Sequence, residues 1–179
     1  NLPGIYPSSS AGGIYARTLY SNGHTGTDGV GNPYKFGDGP ESLRTALCWI
    51  KPADYPTAAV GSPFGNRGSS GSDPGWGFWW EGRSGSGPLI GVFYPDGTLY
   101  TQAYTDDTWY HLALTYDDVT HDLDFYVNGA VVDTANVAAN NGGDDRLLFG
   151  LAHSLTGTDA FYNGSLDECM TFKTKLTSG

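Results

Sequence analysis

Three tryptophans within five positions, in the stretch GWGFWWEGR over residues 75–83, stand beside one glutamate and one arginine. Indole rings next to hydrogen-bonding side chains have the composition of a small-ligand site. The apolar C–H face of a sugar ring lies flat on the indole, and the polar groups take its hydroxyls. The competing use of the same rings is packing. Strand alternation divides them: Trp76, Phe78 and Trp80 fall on one face, and Gly77, Trp79 and Glu81 on the other. The continuous aromatic face reads as core. Trp79 is the candidate platform, with Glu81 and Arg83 as polar neighbours and Tyr94 as a further ring, joined by Tyr100 and Tyr104. The alternative for Trp79 is an indole that simply covers the second face of a sheet.

The remaining reactive side chains do not assemble into a catalyst. Hydrolysis of a glycosidic bond takes two carboxylates facing each other across the bond. The chain has only three glutamates, Glu41, Glu81 and Glu168, far apart in sequence, and no Glu-x-Asp-x-Glu stretch. Asp122 and Asp124 share a strand face but adjoin a turn, where a solvated Asp is expected. There is no Gly-x-Ser-x-Gly elbow, no His-Glu-x-x-His and no phosphate-cradling Gly-Lys-Ser/Thr loop. The four histidines, His24, His111, His121 and His153, lack metal-ligand spacing. No catalytic residue is assigned, and the chain reads as a non-enzyme.

The elements that position these groups follow from composition. At 179 residues, with 27 Gly and 10 Pro, the chain fits one domain, spanning 1–179, built of strands and turns rather than long helices. Its net charge of −10 makes a nucleic acid or an anionic membrane surface a poor partner. No apolar run reaches the length of a membrane span, so membrane insertion is not expected. Sixteen of the acids are Asp, most of them in Gly- and Asn-rich stretches. They serve turn chemistry there, or some of them hold Ca²⁺, a hard cation that prefers oxygen.

Residues 1–40 are loop-rich, with a short strand near Ile14 to Leu19. Further on, LCWIKP, VFYPDGTLY, TWYHLALTYDD, LDFYVNG, RLLFGLA and FYNGSLDECMTF read as short strands separated by turns. Leu123, Phe125 and Val127 alternate with polar residues, and Asn128-Gly129 is a strong hairpin signal. The expected fold is all-β, an antiparallel two-sheet sandwich or jelly roll. Cys48 and Cys169 are the only cysteines. They form one disulfide, which would indicate an oxidising compartment, or remain two buried thiols. Asn163-Gly164-Ser165 fits the glycosylation acceptor pattern.

From about residue 45 the order of these motifs resembles the laminin-G-like, concanavalin A-like jelly-roll family. The carrying features are a Trp-His strand running into Thr-Tyr-Asp (Trp109 to Asp117), a Tyr-Val-Asn-Gly hairpin (Tyr126 to Gly129), and a closing Asp-Glu strand (Gly164 to Glu168). The resemblance implies two curved antiparallel sheets. It also implies a structural Ca²⁺ held by Asp167 with carbonyls from around Phe36 to Gly39, including Asp38. The alternatives are that Asp167 bonds backbone N–H groups, or that a rim calcium sits at Asp106-Asp107 or Asp144-Asp145. Family functions range over lectins, carbohydrate-binding modules, protein-binding domains and glycan-cleaving enzymes, so the fold does not decide among them. The expectation is an extracellular, secreted or surface-exposed glycan-binding module that docks on cell-surface glycoconjugates. A recognition or structural domain of an adhesin or viral spike, with a protein partner, is the alternative.

Overall fold

In a computed structural model of the chain, the described residues are 5–8, 16–20, 43–53, 59–66, 75–84, 87–94, 97–137, 146–152 and 160–177. Every regular element among them is a strand: β1 Ile5–Ser8, β2 Ala16–Tyr20, β3 Thr45–Pro52, β4 Ala59–Gly61, β5 Phe64–Gly65, β6 Gly77–Ser84, β7 Gly87–Tyr94 and β8 Gly97–Ala103. The series continues with β9 Tyr110–Tyr116, β10 Asp122–Val127, β11 Ala130–Asn136, β12 Arg146–Phe149, β13 Leu151–Ala152, β14 Ala160–Phe161 and β15 Gly164–Phe172. One sheet of eight strands runs β1-β2-β12-β5-β6-β7-β8 with β4 also on β6; the second has five strands in the order β11-β10-β9-β3-β15. The fold is a two-sheet antiparallel jelly-roll sandwich, as the spacing of strands and turns anticipates. No helix among the described residues is long and apolar enough to cross a membrane.

Alternation sorts the side chains. On the five-stranded sheet, Ala46, Cys48 and Ile50 of β3, Leu112, Leu114 and Tyr116 of β9, and Leu123, Phe125 and Val127 of β10 are buried. Their partners from the larger sheet include Phe64, Phe78, Trp80 and Ile90. Phe78 meets Phe125 across the sandwich with ring centroids 6.4 Å apart. Apolar area removed from water is the main stabilising term, so this one aromatic-rich layer holds both sheets in place. The opening tryptophan run divides as its parity requires: Trp76 and Trp80 are 2% and 0% exposed, whereas Trp79 is half-buried on the opposite face.

Two hairpins follow the turn residues. Asn128 and Gly129 adopt φ of 51° and 82° between the paired residues Val127 and Ala130, the left-handed geometry of a two-residue primed turn. Tyr94 pairs with Gly97 at the β7–β8 turn. At Asp117 the carboxylate accepts the backbone N–H groups of Val119 (2.9 Å) and Thr120 (3.1 Å), closing the β9–β10 connection. Asp122 and Asp124 are likewise structural: they accept hydrogen bonds from Asn136 and Thr134 on β11.

Candidate functional site

Strand β15 does not keep a regular alternation, and the departure shapes one end of the outer face of the five-stranded sheet. Asp167 pairs with Trp49 and Met170 with Leu47, so Glu168 and Cys169 together stand opposite Cys48. Strict alternation would send Glu168 inward with Leu166, at the high cost of burying a charge. The bulge instead leaves Glu168 exposed, with φ of 46°, and turns Cys169 toward the core, where it forms a disulfide with Cys48. Bulges commonly re-aim a side chain in this way.

The bulge completes a shallow recess of about 300 Å³ lined by Trp49, Trp109, Asp167 and Glu168. Trp49 comes from β3, out of phase with the buried Cys48 and Ile50. Trp109 stands just before β9 and is 42% exposed, one of the few large apolar side chains open to solvent among the described residues. His111 is paired with Trp49 across β3–β9 and packs on it, the rings 5.1 Å apart and tilted by 53°. Burial draws the His111 pKa below its ordinary value, and the nearby Glu168 carboxylate opposes that shift. Beside the recess, Lys51 pairs with Asp107 at 3.3 Å. His111 also borders an adjoining apolar groove of about 190 Å³ over Leu47, Ala113, Tyr126 and Leu176. The segment after β15 is held there by bonds between Thr45 and both Thr174 and Leu176, and by Lys175 on Asp117 at 3.1 Å.

The residues singled out from sequence are distributed differently. Trp79 lies opposite Gly91 on β7, and Glu81 lies between Val60 of β4 and Leu89 of β7. The side chains of Glu81, Arg83 and Tyr94 lie outside the described residues, as does that of Tyr100. Tyr104 does not join Trp79: it is buried against Trp80, with centroids 6.3 Å apart. Asp167 accepts the Glu168 N–H at 2.9 Å and is otherwise exposed. Asp38 and Asp144-Asp145 lie outside the described residues, and Asp107 is engaged by Lys51. Among the described residues no three His, Cys, Asp or Glu side chains come together as a metal centre.

Sequence reasoning missed the Trp49–Trp109–Asp167–Glu168 recess because its parts are dispersed along the chain. The signal was present in their phase: Trp49 and His111 each stand out of step with buried neighbours, and Glu168 stands in step with them.

The described strands form a jelly-roll sandwich with aromatic rings and carboxylates on an outer face. The family comparison gives this class its name: residues 26–179 match the model of the concanavalin A-like lectin/glucanases superfamily, and the chain belongs to that family. The match reaches further toward the N-terminus than the motifs from residue 45 onward. No curated protein matches the chain in sequence. Among solved structures, it is similar to a heptameric SAP-like pentraxin from Limulus polyphemus, at 19% identity and a TM-score of 0.55, covering 76% of this chain and 66% of that one. A candidate carbohydrate-binding protein from Bacteroides ovatus gives 20% identity and a TM-score of 0.57 over 75% of this chain and 38% of that one. A leech intramolecular trans-sialidase, complexed with 2,7-anhydro-Neu5Ac, gives 15% and 0.54 over 75% and 22%. The chain spans less than two thirds of each of these proteins, and the likeness is one of fold.

Proposed function

We propose that the chain is a single-domain, non-catalytic, extracellular glycan-binding module whose primary site is the recess between β3, β9 and β15. The observation that carries this reading is the solvent-open Trp109 sharing one recess with Trp49 and two exposed carboxylates. Apolar rings supply contact area and the carboxylates accept hydroxyl protons, which fixes orientation. The adjoining groove gives room for an oligosaccharide rather than a single ring. The non-catalytic assignment is supported by the placement of the acids. Asp167 and Glu168 are sequential and exposed, rather than facing each other across a cleft as the carboxylates of a glycoside hydrolase do. The extracellular assignment is supported by the Cys48–Cys169 disulfide.

Trp79, with Glu81, Arg83 and Tyr94, is proposed as a second contact surface, supported by the partial exposure of that indole on the eight-stranded sheet. A structural Ca²⁺ at Asp167 and Asp38 is carried as a proposal resting on the family resemblance, in which Asp167 would supply one carboxylate. Thermal melting in calcium and in EDTA tests the ion, which would stabilise the folded state by mass action. A glycan array tests the function. The wild-type chain is expected to retain a defined set of glycans, with Trp109→Ala losing most of the signal and Trp79→Ala a smaller part. A blank array, or full retention by Trp109→Ala, would overturn the assignment.

A further inference from the structure

The recess is acidic as well as aromatic, and that combination narrows its ligand. Asp167 and Glu168 are both exposed to it, no cation lines it among the described residues, and the adjacent Lys51 is already paired with Asp107. The whole chain adds a field of net charge −10. With no ion on Asp167, a sialylated, uronic or sulfated sugar entering here would meet two carboxylates without a counter-charge. A neutral sugar would leave both carboxylates with ordinary hydroxyl bonds. A protonated amine gains twice: charge-assisted hydrogen bonds to the carboxylates, and the attraction of a cation to an indole face.

We infer that the recess selects glycans bearing free amino groups, of the glucosamine kind, over their N-acetylated and anionic counterparts. The inference rests on the glycan-binding reading above and goes beyond it in naming the chemical class. Orientation follows from the bulge: Glu168 is the residue displaced out of the core register, and it stands at the recess beside the exposed indole of Trp109.

The test is calorimetric titration of the whole chain, with EDTA present throughout, at mildly acidic pH and at low and raised salt. The probes are a short glucosamine oligomer, its fully N-acetylated equivalent and a sialylated trisaccharide. The glucosamine oligomer is expected to bind about tenfold tighter than the acetylated one, with the margin shrinking as salt rises. Glu168→Gln should erase most of that margin, weakening the glucosamine oligomer far more than the acetylated one. Asp133→Asn, which removes a carboxylate at the far edge of the same sheet, should leave the margin unchanged. Equal affinity for the two oligomers, a margin that survives Glu168→Gln, a margin lost equally in Asp133→Asn, or tightest binding of the sialylated probe would each overturn the amino-sugar assignment. Absence of binding to all three, or indifference to Trp109→Ala, would instead bring down the glycan-binding reading itself.

Discussion

Removing the Cys48–Cys169 crosslink tests how the two ends of the five-stranded sheet are held. The cysteines are 121 residues apart, and Cys48 has no exposed surface. In the chain-entropy model, closing a loop of that length in the unfolded state is worth about 5 kcal/mol, with native disulfides usually returning about 2–5. Replacing the core sulfur at Cys48 adds a cavity cost on the order of 1 kcal/mol. A domain has roughly 5–15 kcal/mol in all, so the loss is a large fraction of it. At about 2–4 °C per kcal/mol for a chain of this size, the double variant Cys48→Ala/Cys169→Ala should melt about 10 °C or more below the wild type. The assay is thermal unfolding followed by tryptophan fluorescence, since Trp76 and Trp80 are buried and report on the core. A parallel melt of wild type with and without reductant, with thiol labelling to confirm reduction, separates the crosslink from the substitutions. If labelled, reduced protein melted within a degree or two of the oxidised form, the bridge would not be constraining the unfolded chain and the reasoning would fail.

Two glycines should behave differently. A methyl group at Gly164 would stand on the Lys51 carbonyl oxygen and the Tyr162 hydroxyl, so Gly164→Ala should cost about 2–4 kcal/mol by urea unfolding. Gly129 has open space around it and only its left-handed φ to defend, so Gly129→Ala should cost about 1 kcal/mol. Equal costs would argue against the close packing at Gly164. Asp117 accepts the N–H groups of Thr120 and Val119 and a bond from Lys175, which hold its pKa at about 2. The carboxylate is therefore favoured in the folded state; its contribution is complete above the unfolded value near 4 and is lost as pH falls toward about 2. Asp117→Asn should flatten that part of the acid limb in pH-dependent melts, and an unchanged limb would discount the turn.

Much of the sandwich was legible because period-two patterning and turn chemistry are local. Leu123, Phe125 and Val127 went inward as their alternation requires, and Asn128-Gly129 made the turn its backbone preferences favour. The tryptophan run was also readable, since Trp76, Phe78 and Trp80 differ from Trp79 only in parity. Tyr104 was not: nothing local showed that the chain beyond β8 would turn its ring onto Trp80. The recess was less legible still, because its walls meet only through the β9–β3–β15 pairing. Trp49, Trp109 and Glu168 each look unremarkable within their own segments. An irregular register at Glu168 was implied by a charged residue in phase with Leu166, but which way the chain would yield depended on where Cys48 waited.

The bulge in β15 has a bearing on solubility as well as on recognition. At nine residues, β15 is the outermost strand of its sheet, with no other described strand on its far side. A long, regular border of that kind presents a row of amide and carbonyl groups able to recruit a strand from a neighbouring molecule. The kink at Glu168 breaks that row near its middle and leaves two carboxylates beside the break. The same irregularity that opens the recess therefore guards the molecule's margin against edge-to-edge association.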